Sequence, residues 1–137
     1  KKAHIIGVYS PSDNAQLKQE LIEYIHNLLQ TIEWDENQIL LIGGDYNEDL
    51  GTRPSHAASS VPTTWAELQA EHSLSLVNKS DNCTHLPFNQ NTPSKLDGWF
   101  VTNHNAHLAK EKEHTIGHAS DHEPVWMELD LKGWGSG

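Results

Sequence analysis

Apolar and polar residues near the N-terminus of the chain follow two different periods. Residues 4–9 are rich in β-forming side chains and stop before Pro11, which lacks a backbone donor, so they predict a strand. Apolar residues then recur at steps of four, four, three and four, which predicts one stripe of a helix: Leu17, Leu21, Ile25, Leu28 and Ile32. The residues expected to face water are Lys18, Glu20, Glu23 and Asn27. Ser12 or Asp13 is expected to cap this helix.

A second strand and a loop are predicted in the next part of the chain. Residues 39–42 form a continuous apolar run, as in a strand that is buried on both faces. Gly43-Gly44 is expected to end this strand and to deliver Asp45-Tyr46-Asn47 to its C-terminal end. Residues 51–62 are rich in Ser, Ala, Gly and Pro without any period, which is typical of a surface loop.

The remaining elements are shorter. Thr64-Trp65-Ala66-Glu67 fits a capping box, and Trp65, Leu68 and His72 have the spacing of a short amphipathic helix. The segments expected after it are a strand at 74–77, a polar, turn-rich segment at 78–94 with Thr84 in a short strand, a strand at 95–101, a loop or short helix at 103–112, a strand at 114–118 and a half-buried strand at 125–131. This mixture of strands and helices predicts an α/β fold.

Size and composition indicate one domain, or part of one. The chain has 137 residues, of which 36% are hydrophobic, and this is sufficient for one core. No apolar run approaches the roughly 18 residues that a membrane helix needs, so we expect no association with a membrane. Residues 1–131 are expected to form the domain part, and residues 132–137 resemble a linker or tag-like tail.

Charge and cysteine content limit the partners and the compartment. The formal net charge is −10, whereas surfaces that bind nucleic acid usually carry Lys and Arg against the phosphates. Either a basic surface lies elsewhere, or the substrate is small. The single Cys83 excludes an intrachain disulfide and a Cys-based zinc site, and it favours an intracellular location. The N-x-[ST] triplets at Asn78 and Asn82 would be glycan acceptors only in a secreted protein, and such triplets are common by chance.

Three short segments carry side chains suited to phosphate chemistry. They are Gly44-Asp45-Tyr46-Asn47, Lys95-Leu96-Asp97-Gly98-Trp99-Phe100 and Ser120-Asp121-His122-Glu123-Pro124. In this order they resemble the GD-x-N, LD-x-x-F and SDH-x-P signatures of the endonuclease/exonuclease/phosphatase (DNase I-like) superfamily. Val8-Tyr9-Ser10-Pro11, with Asn14 close behind, resembles the family's strand that ends in Tyr-x-Pro and precedes a long helix. The resemblance spans residues 4–131.

The resemblance implies a fold and a set of roles. The family fold is a four-layer α/β/β/α sandwich, of which this chain resembles the C-terminal half. His122 would be the general base or a phosphate-stabilising group, with Asp97 as its orienting carboxylate. Asp121 and Asp45 would contribute to a Mg²⁺ or Mn²⁺ site, and Asp45 would also position or deprotonate water or protonate the leaving group. The side chains expected to contact the phosphate are Asn47, Tyr9 and Asn14.

These residue types suit the hydrolysis of a phosphodiester on chemical grounds as well. The reaction needs an activated water, a counter-charge for the phosphorane and help for the leaving oxygen. A histidine with a carboxylate behind it can supply the first, and hard oxygen ligands that hold a divalent cation can supply the second. Asp121 and His122 can both face the site only if they lie in the loop before the last strand, and Pro124 favours a loop there.

Two rival interpretations concern histidine and tryptophan. The pairs His104 and His107, and His114 and His118, have spacings that zinc would accept, but neither pair has an evident third ligand, and ten histidines give such spacings by chance. Trp65, Trp99 and Trp126 could stack on bases, although packing in or beside the core is the more common role of such residues. Gly98-Trp99 departs from the Tyr or His that usually follows the motif aspartate, which weakens any inference about substrate.

Half of the family's sandwich has no counterpart in this chain. The first half normally supplies an Asn and a Glu that is the principal metal ligand, so the fragment alone is expected to be inactive. We also expect the exposed inner face of its sheet to be covered by an N-terminal half or by a partner chain. Three functions remain open: a nuclease-like phosphodiesterase, such as a retrotransposon-type endonuclease; a phosphatase or phosphodiesterase for small or lipid substrates; and an inactive relative that serves in binding or assembly.

Overall fold

The computed structural model describes residues 2–50, 61–78, 96–112 and 126–132, together with residue 134. Its elements are β1 (Lys2–Tyr9), α1 (Ala15–Gln30), β2 (Gln38–Asp45), α2 (Trp65–Glu71), β3 (Leu74–Leu76), β4 (Asp97–Thr102), a 3₁₀ helix (Asn103–Leu108), β5 (Ala109–Lys112) and β6 (Trp126–Leu129). The predictions that lie outside the described residues are the loop at 51–60, the short strand at Thr84 and the strand at 114–118.

Four strands form one sheet in the order β1-β2-β4-β3. β1 and β2 are parallel, and α1 makes the crossover between them. β4 runs antiparallel to both β2 and β3, which places it second from the edge of the sheet. β5 and β6 form a separate antiparallel ladder. The predicted strands at 4–9, 39–42, 74–77 and 95–101 are confirmed, with small changes at their ends.

The two faces of the sheet are covered differently. The face that packs against α1 and α2 is called the helix face, and its buried core includes Val8, Leu40, Ile42, Phe100, Ile22, Ile25, Leu29 and Leu68. The opposite surface, called the far face, packs against the 3₁₀ helix and the β5–β6 ladder through Ile39, Leu41, Val101, Leu108, Met127 and Leu129. Successive strand residues alternate between these faces, so the fold has a helix layer, a sheet and a partial third layer.

Within the described residues, the third layer does not extend over β1. Ile5 and Tyr9 project from the far face and are 68% and 76% exposed. Gly7 lies between them, and no atom lies within 4 Å of the position that a Cβ would take there. The far face of β1 therefore exposes apolar side chains to solvent.

The predicted stripe of α1 is correct only in part, because Ile25 is buried and Leu21 and Ile32 pack against the core. The buried residues are Ile22, Ile25, His26 and Leu29, whereas Leu17 and Leu28 are exposed. The buried stripe is thus rotated by about a quarter turn from the predicted one. Large apolar side chains span a little under half of the circumference of this helix, and contact with the sheet selects which of them are buried.

Several local predictions also need correction. The cap of α1 is Asn14, whose Oδ1 accepts a hydrogen bond from the backbone N–H of Leu17 at 3.0 Å, and neither Ser12 nor Asp13 has this role. Lys18 is half-buried in an ion pair and does not simply face water. β2 continues through both glycines to Asp45, and the segment expected to be a loop or short helix includes strand β5.

The C-terminal tail contacts the core through Trp134. Trp134, in the linker-like tail, packs against the far-face core, and its indole N–H donates to the carbonyl of Glu36 at 3.2 Å. In the described part of the chain, no helix has both the length and the hydropathy that crossing a membrane requires.

Candidate active site

The strand register places three of the predicted site residues in one row. Tyr9 is the register partner of Asp45 on β2, and Asp45 is the partner of Asp97 on β4. Adjacent strands lie about 4.8 Å apart, so the three Cα atoms span about 10 Å. Val8 points into the helix-face core, and alternation therefore directs all three side chains to the far face. The row lies where β1 and β2 end and β4 begins.

Gly44 allows β1 and β2 to approach each other next to this row. Its φ is +144°, a conformation that side chains rarely adopt, and a Cβ at this position would overlap the backbone carbonyl of Val8. The close approach at Gly44 is to β1, and the backbone continues as a strand to Asp45. Gly43 has a different role, because the indole of Trp99 occupies the space that its side chain would fill.

Asn47 forms hydrogen bonds with residues at the ends of β1 and β2. Its backbone N–H donates to Oδ1 of Asp45 at 2.9 Å, and its Nδ2 donates to the backbone carbonyl of Ser10 just beyond β1. Its φ is +46°, in the left-handed region that asparagine tolerates better than most residues. The second proton of its amide group is the one that could reach a phosphate oxygen.

Ser10 and Trp65 stabilise the turn that contains Asn47 through hydrogen bonds. The backbone N–H of Ser10 donates to the carbonyl of Asp45 at 2.9 Å, which extends the pairing of β1 with β2 by one bond. The indole N–H of Trp65 donates to the hydroxyl of Ser10 at 3.1 Å. Both side chains are buried, so Trp65 belongs to the core, as the commoner interpretation expected, and does not present its ring to a base.

Tyr46 anchors the turn in the helix-face core. Its hydroxyl donates to the carbonyl of Ile42 at 2.9 Å, and its ring packs edge-on against Trp65 and Phe100. Burial raises the pKa of the Tyr46 hydroxyl well above its usual value of 10.0, and the negative charge of Asp97 raises it further. Tyr46 therefore stays neutral over the working range of the protein and has a structural role, while Asp45 and Asn47 on either side of it face the site.

Glu48 is a site-supporting residue that the sequence did not single out. Its Oε1 accepts from Nζ of Lys18 at 2.8 Å and from the backbone N–H of Trp65 at 3.0 Å. Its Oε2 accepts from the backbone N–H of Ala66 at 2.9 Å. Only its position directly after the GD-x-N segment could have drawn attention to it, because its partners are distant in sequence.

The other predicted site residues are placed as follows. Asp121 and His122 lie outside the described residues, so their roles stay predictions. Asn14 uses its side-chain oxygen to cap α1, which leaves its NH₂ group for any contact with a phosphate. Asn78 is buried, and its Oδ1 accepts from the backbone N–H of Trp99 at 2.8 Å, so this triplet does not present an accessible glycan acceptor.

The described residues provide only part of a metal site. Among them, no group of three or more His, Cys, Asp or Glu side chains could hold a metal ion. Asp45 and Asp97 supply two carboxylates in adjacent register, and hard oxygen ligands of this kind suit Mg²⁺ or Mn²⁺. His104 and His107 are exposed on the 3₁₀ helix, and Nε2 of His104 lies 2.9 Å from the carbonyl of Asp35. His114 and His118 lie outside the described residues.

Two solved structures are similar to this chain over most of its length. The endonuclease domain of TRAS1, a telomere-specific non-LTR retrotransposon, aligns with 90% of this chain and 56% of its own chain, with a TM-score of 0.64 and 19% identity. SmcL aligns with 93% of this chain and 49% of its own, with a TM-score of 0.57 and 19% identity. A scan against protein-family models gave no match, and no curated protein matches.

These likenesses define the fold. The chain has the DNase I-like α/β fold and spans about half the length of the two structures that it matches. The fold class expected from the GD-x-N, LD-x-x-F and SDH-x-P segments is confirmed. The first of these two neighbours is an endonuclease domain.

Proposed function

We propose that this chain is the C-terminal part of a metal-dependent phosphodiesterase that cleaves nucleic acid as an endonuclease, once an N-terminal half completes the domain. The observation that carries the proposal is the row of Tyr9, Asp45 and Asp97 at the ends of three neighbouring strands. Tyr9 is exposed at one end of this row, and Asp45 and Asp97 are partly exposed. The likeness to the endonuclease domain of TRAS1 supports the same proposal.

Proton transfer is assigned to His122 with Asp97 behind it. A carboxylate that accepts a hydrogen bond from one ring nitrogen fixes the tautomer and stabilises the imidazolium when the other nitrogen takes a proton. Asp97 suits this role because β4 holds its backbone rigidly opposite Asp45. Asp45 would position the nucleophilic water or exchange a proton with it or with the leaving oxygen.

Neutral donors are assigned to the phosphate oxygens. Tyr9 projects its hydroxyl from an exposed strand end, and Asn47 has one amide proton beyond the one that it gives to Ser10. Both side chains stabilise negative charge on oxygen without adding charge of their own. Asn14, the N-cap residue of α1, is the third proposed contact with the phosphate.

Mg²⁺ or Mn²⁺ is the proposed cofactor, with Asp121 and Asp45 among its ligands. A divalent cation bound there would offset the charge that develops on the phosphorane. The other positions of the octahedral set that Mg²⁺ requires would be filled by water, by phosphate oxygens of the substrate and by ligands from an N-terminal half that completes the domain.

A phosphodiesterase for small or lipid substrates is the second candidate. The net charge of −10 favours it, because an acidic surface repels a polyanion at long range. The chain aligns with only about half of the length of the two similar structures. This favours a third candidate, an inactive relative that serves in binding or assembly. In all three cases the far face of β1 would be covered by the missing half or by a partner chain.

The test uses the chain extended by the residues encoded upstream of Lys1. It is incubated with supercoiled plasmid, with a small aryl phosphodiester and with phospholipid vesicles, each with Mg²⁺ and with excess chelator. Chelator-sensitive nicking of the plasmid supports the endonuclease. Turnover of the small diester or the lipid alone favours the second candidate, and no turnover of any substrate overturns the catalytic proposal.

A further inference from the structure

The turn that follows β2 sends alternate side chains to opposite sides. Asp45 and Asn47 face the candidate site, whereas Tyr46 is buried in the helix-face core. Glu48 follows the same alternation and reaches back between the helices, where its side chain is only 15% exposed. A carboxylate this far from solvent needs partners, and Glu48 has three, on α1 and on the first turn of α2.

These contacts close a ring of hydrogen bonds around the turn. Asn47 donates to the carbonyl of Ser10, and the hydroxyl of Ser10 accepts from the indole of Trp65. The backbone N–H of Trp65 donates to Glu48, which is bonded covalently to Asn47. The ring ties β1, the β2 turn and α2 together, so Asn47 cannot move relative to Ser10 unless one of these bonds breaks.

The backbone of Asn47 requires such support. Its φ of +46° is less favourable than the helical or extended regions, by roughly 1 kcal/mol for a residue other than glycine. Conformations of this kind persist where surrounding contacts determine them. On the N-terminal side of Asn47, Asp45 accepts a hydrogen bond from its backbone N–H. On the C-terminal side, Glu48 accepts a hydrogen bond from the backbone N–H of Ala66.

We propose that Glu48 is a positioning residue for Asp45 and Asn47. Its carboxylate is held by Lys18 and by the backbone of α2. It thereby fixes the turn in the conformation in which Asn47 has a left-handed φ and donates to the carbonyl of Ser10. The effect of Glu48 on catalysis rests on the proposed function. Its effect on the conformation of the turn rests only on the contacts of Glu48.

The structural part is tested in the 137-residue chain without any substrate. NMR measures the exchange with water of the side-chain amide protons of Asn47, which are assigned by their loss in Asn47→Asp. Glu48→Gln keeps one acceptor oxygen but turns an NH₂ group toward the N–H of Ala66, so we expect exchange to be about tenfold faster. Lys18→Met removes one of the three partners of Glu48 and keeps both backbone donors, so it is expected to accelerate exchange about threefold.

Glu20→Gln is the matched control, because Glu20 is an exposed glutamate of α1 that accepts a hydrogen bond from Gln16 of the same helix. Its exchange should equal that of the parent. If Glu48→Gln does not fold, Lys18→Met decides the matter. Parent-like exchange of the Asn47 amide in the folded variants would overturn the proposal.

The substrate-handling part is tested in the chain extended upstream of Lys1. Glu48→Gln should lower kcat about tenfold with less than twofold change in KM, because Asn47 acts on the charge of the transition state. In an Asn47→Ala background the same substitution should change kcat less than twofold, whereas a merely structural effect would persist. An equal loss of kcat in both backgrounds refutes the positioning role. If the parent cleaves nothing, the proposed function fails, and the exchange measurement still decides the structural role.

Discussion

Asp45 and Asp97 lie directly opposite each other on β2 and β4, with both side chains on the far face of the sheet. Like charges at directly opposed positions of an antiparallel pair repel each other, since their Cβ atoms are about 5 Å apart. The two carboxylates, next to an exposed tyrosine, offer hard oxygen ligands of the kind that a divalent cation prefers.

Gly44 should not tolerate a side chain. Gly44→Ala is expected to reduce the free energy of unfolding by about 3 kcal/mol, because the added Cβ overlaps the carbonyl of Val8 and φ is +144°. Urea denaturation followed by circular dichroism measures the change. Gly7→Ala is the matched control on the neighbouring strand, where nothing lies within 4 Å of the added atom, and it should change the stability by less than about 0.5 kcal/mol. Equal effects of the two substitutions would contradict the assigned role of Gly44.

The hydroxyl of Tyr46 should contribute to stability. Tyr46→Phe removes the bond to the carbonyl of Ile42 but keeps the ring between Trp65 and Phe100, so we expect a loss of about 1 kcal/mol in chemical denaturation. Tyr24→Phe, at a side chain that is 67% exposed, should have no measurable effect. A Tyr46→Phe protein as stable as the parent would show that the bond contributes nothing.

His72 should make the stability of the fold depend on pH. His72 lies next to His26, with 2.8 Å between the two ring nitrogens. Burial lowers the pKa of His72 from 6.5, and His26 lowers it further, while Glu71 partly opposes the shift. The unfolded chain therefore binds more protons just below pH 6.5, so stability is complete above that pH and is lost as pH falls from 6.5 toward the lowered folded-state pKa.

Melting temperatures from about pH 7.5 to about pH 5.5 test this dependence. The parent should lose stability across the range, and His72→Gln should flatten the curve. His107→Gln, at an exposed histidine of the 3₁₀ helix, should leave the curve unchanged. The account of this pair is wrong if His72→Gln keeps the pH dependence of the parent.

Tyr9 should matter for turnover and not for folding. Its side chain is 76% exposed, so Tyr9→Phe should melt at the same temperature as the parent. In the chain extended upstream of Lys1, loss of the phenolic donor should lower kcat for phosphodiester cleavage about tenfold. Steady-state kinetics measure the loss, and unchanged turnover would remove Tyr9 from the proposed site.

Much of the sheet could be predicted from the sequence. Continuous or alternating apolar runs located β1, β2, β3, β4 and β6, and the polar motif residues stood at strand ends. The motif order also indicated that Tyr9, Asp45 and Asp97 belong to one site. Their common row follows from strand register, which depends on pairings between distant segments and leaves no local signal.

What could not be predicted depends on tertiary contacts. The large apolar side chains of α1 span a little under half of its circumference, and only packing on the sheet decides that Ile22 and Leu29 are buried while Leu28 is exposed. Glu48, Ser10 and Trp65 meet across up to 55 residues of sequence. β5 carries the polar sequence Ala-Lys-Glu-Lys and forms because β6 lies beside it, so its own pattern did not indicate a strand.

The most direct test of the central claim is plasmid nicking by the Asp97→Asn variant of the chain extended upstream of Lys1. If Asp97 orients the catalytic histidine in the row with Asp45, the Mg²⁺-dependent nicking rate should fall by about a hundredfold or more with little change in melting temperature. Asp130→Asn, at an exposed aspartate after β6, should nick at the parent rate. Asp97→Asn cleaving as fast as the parent would contradict the account.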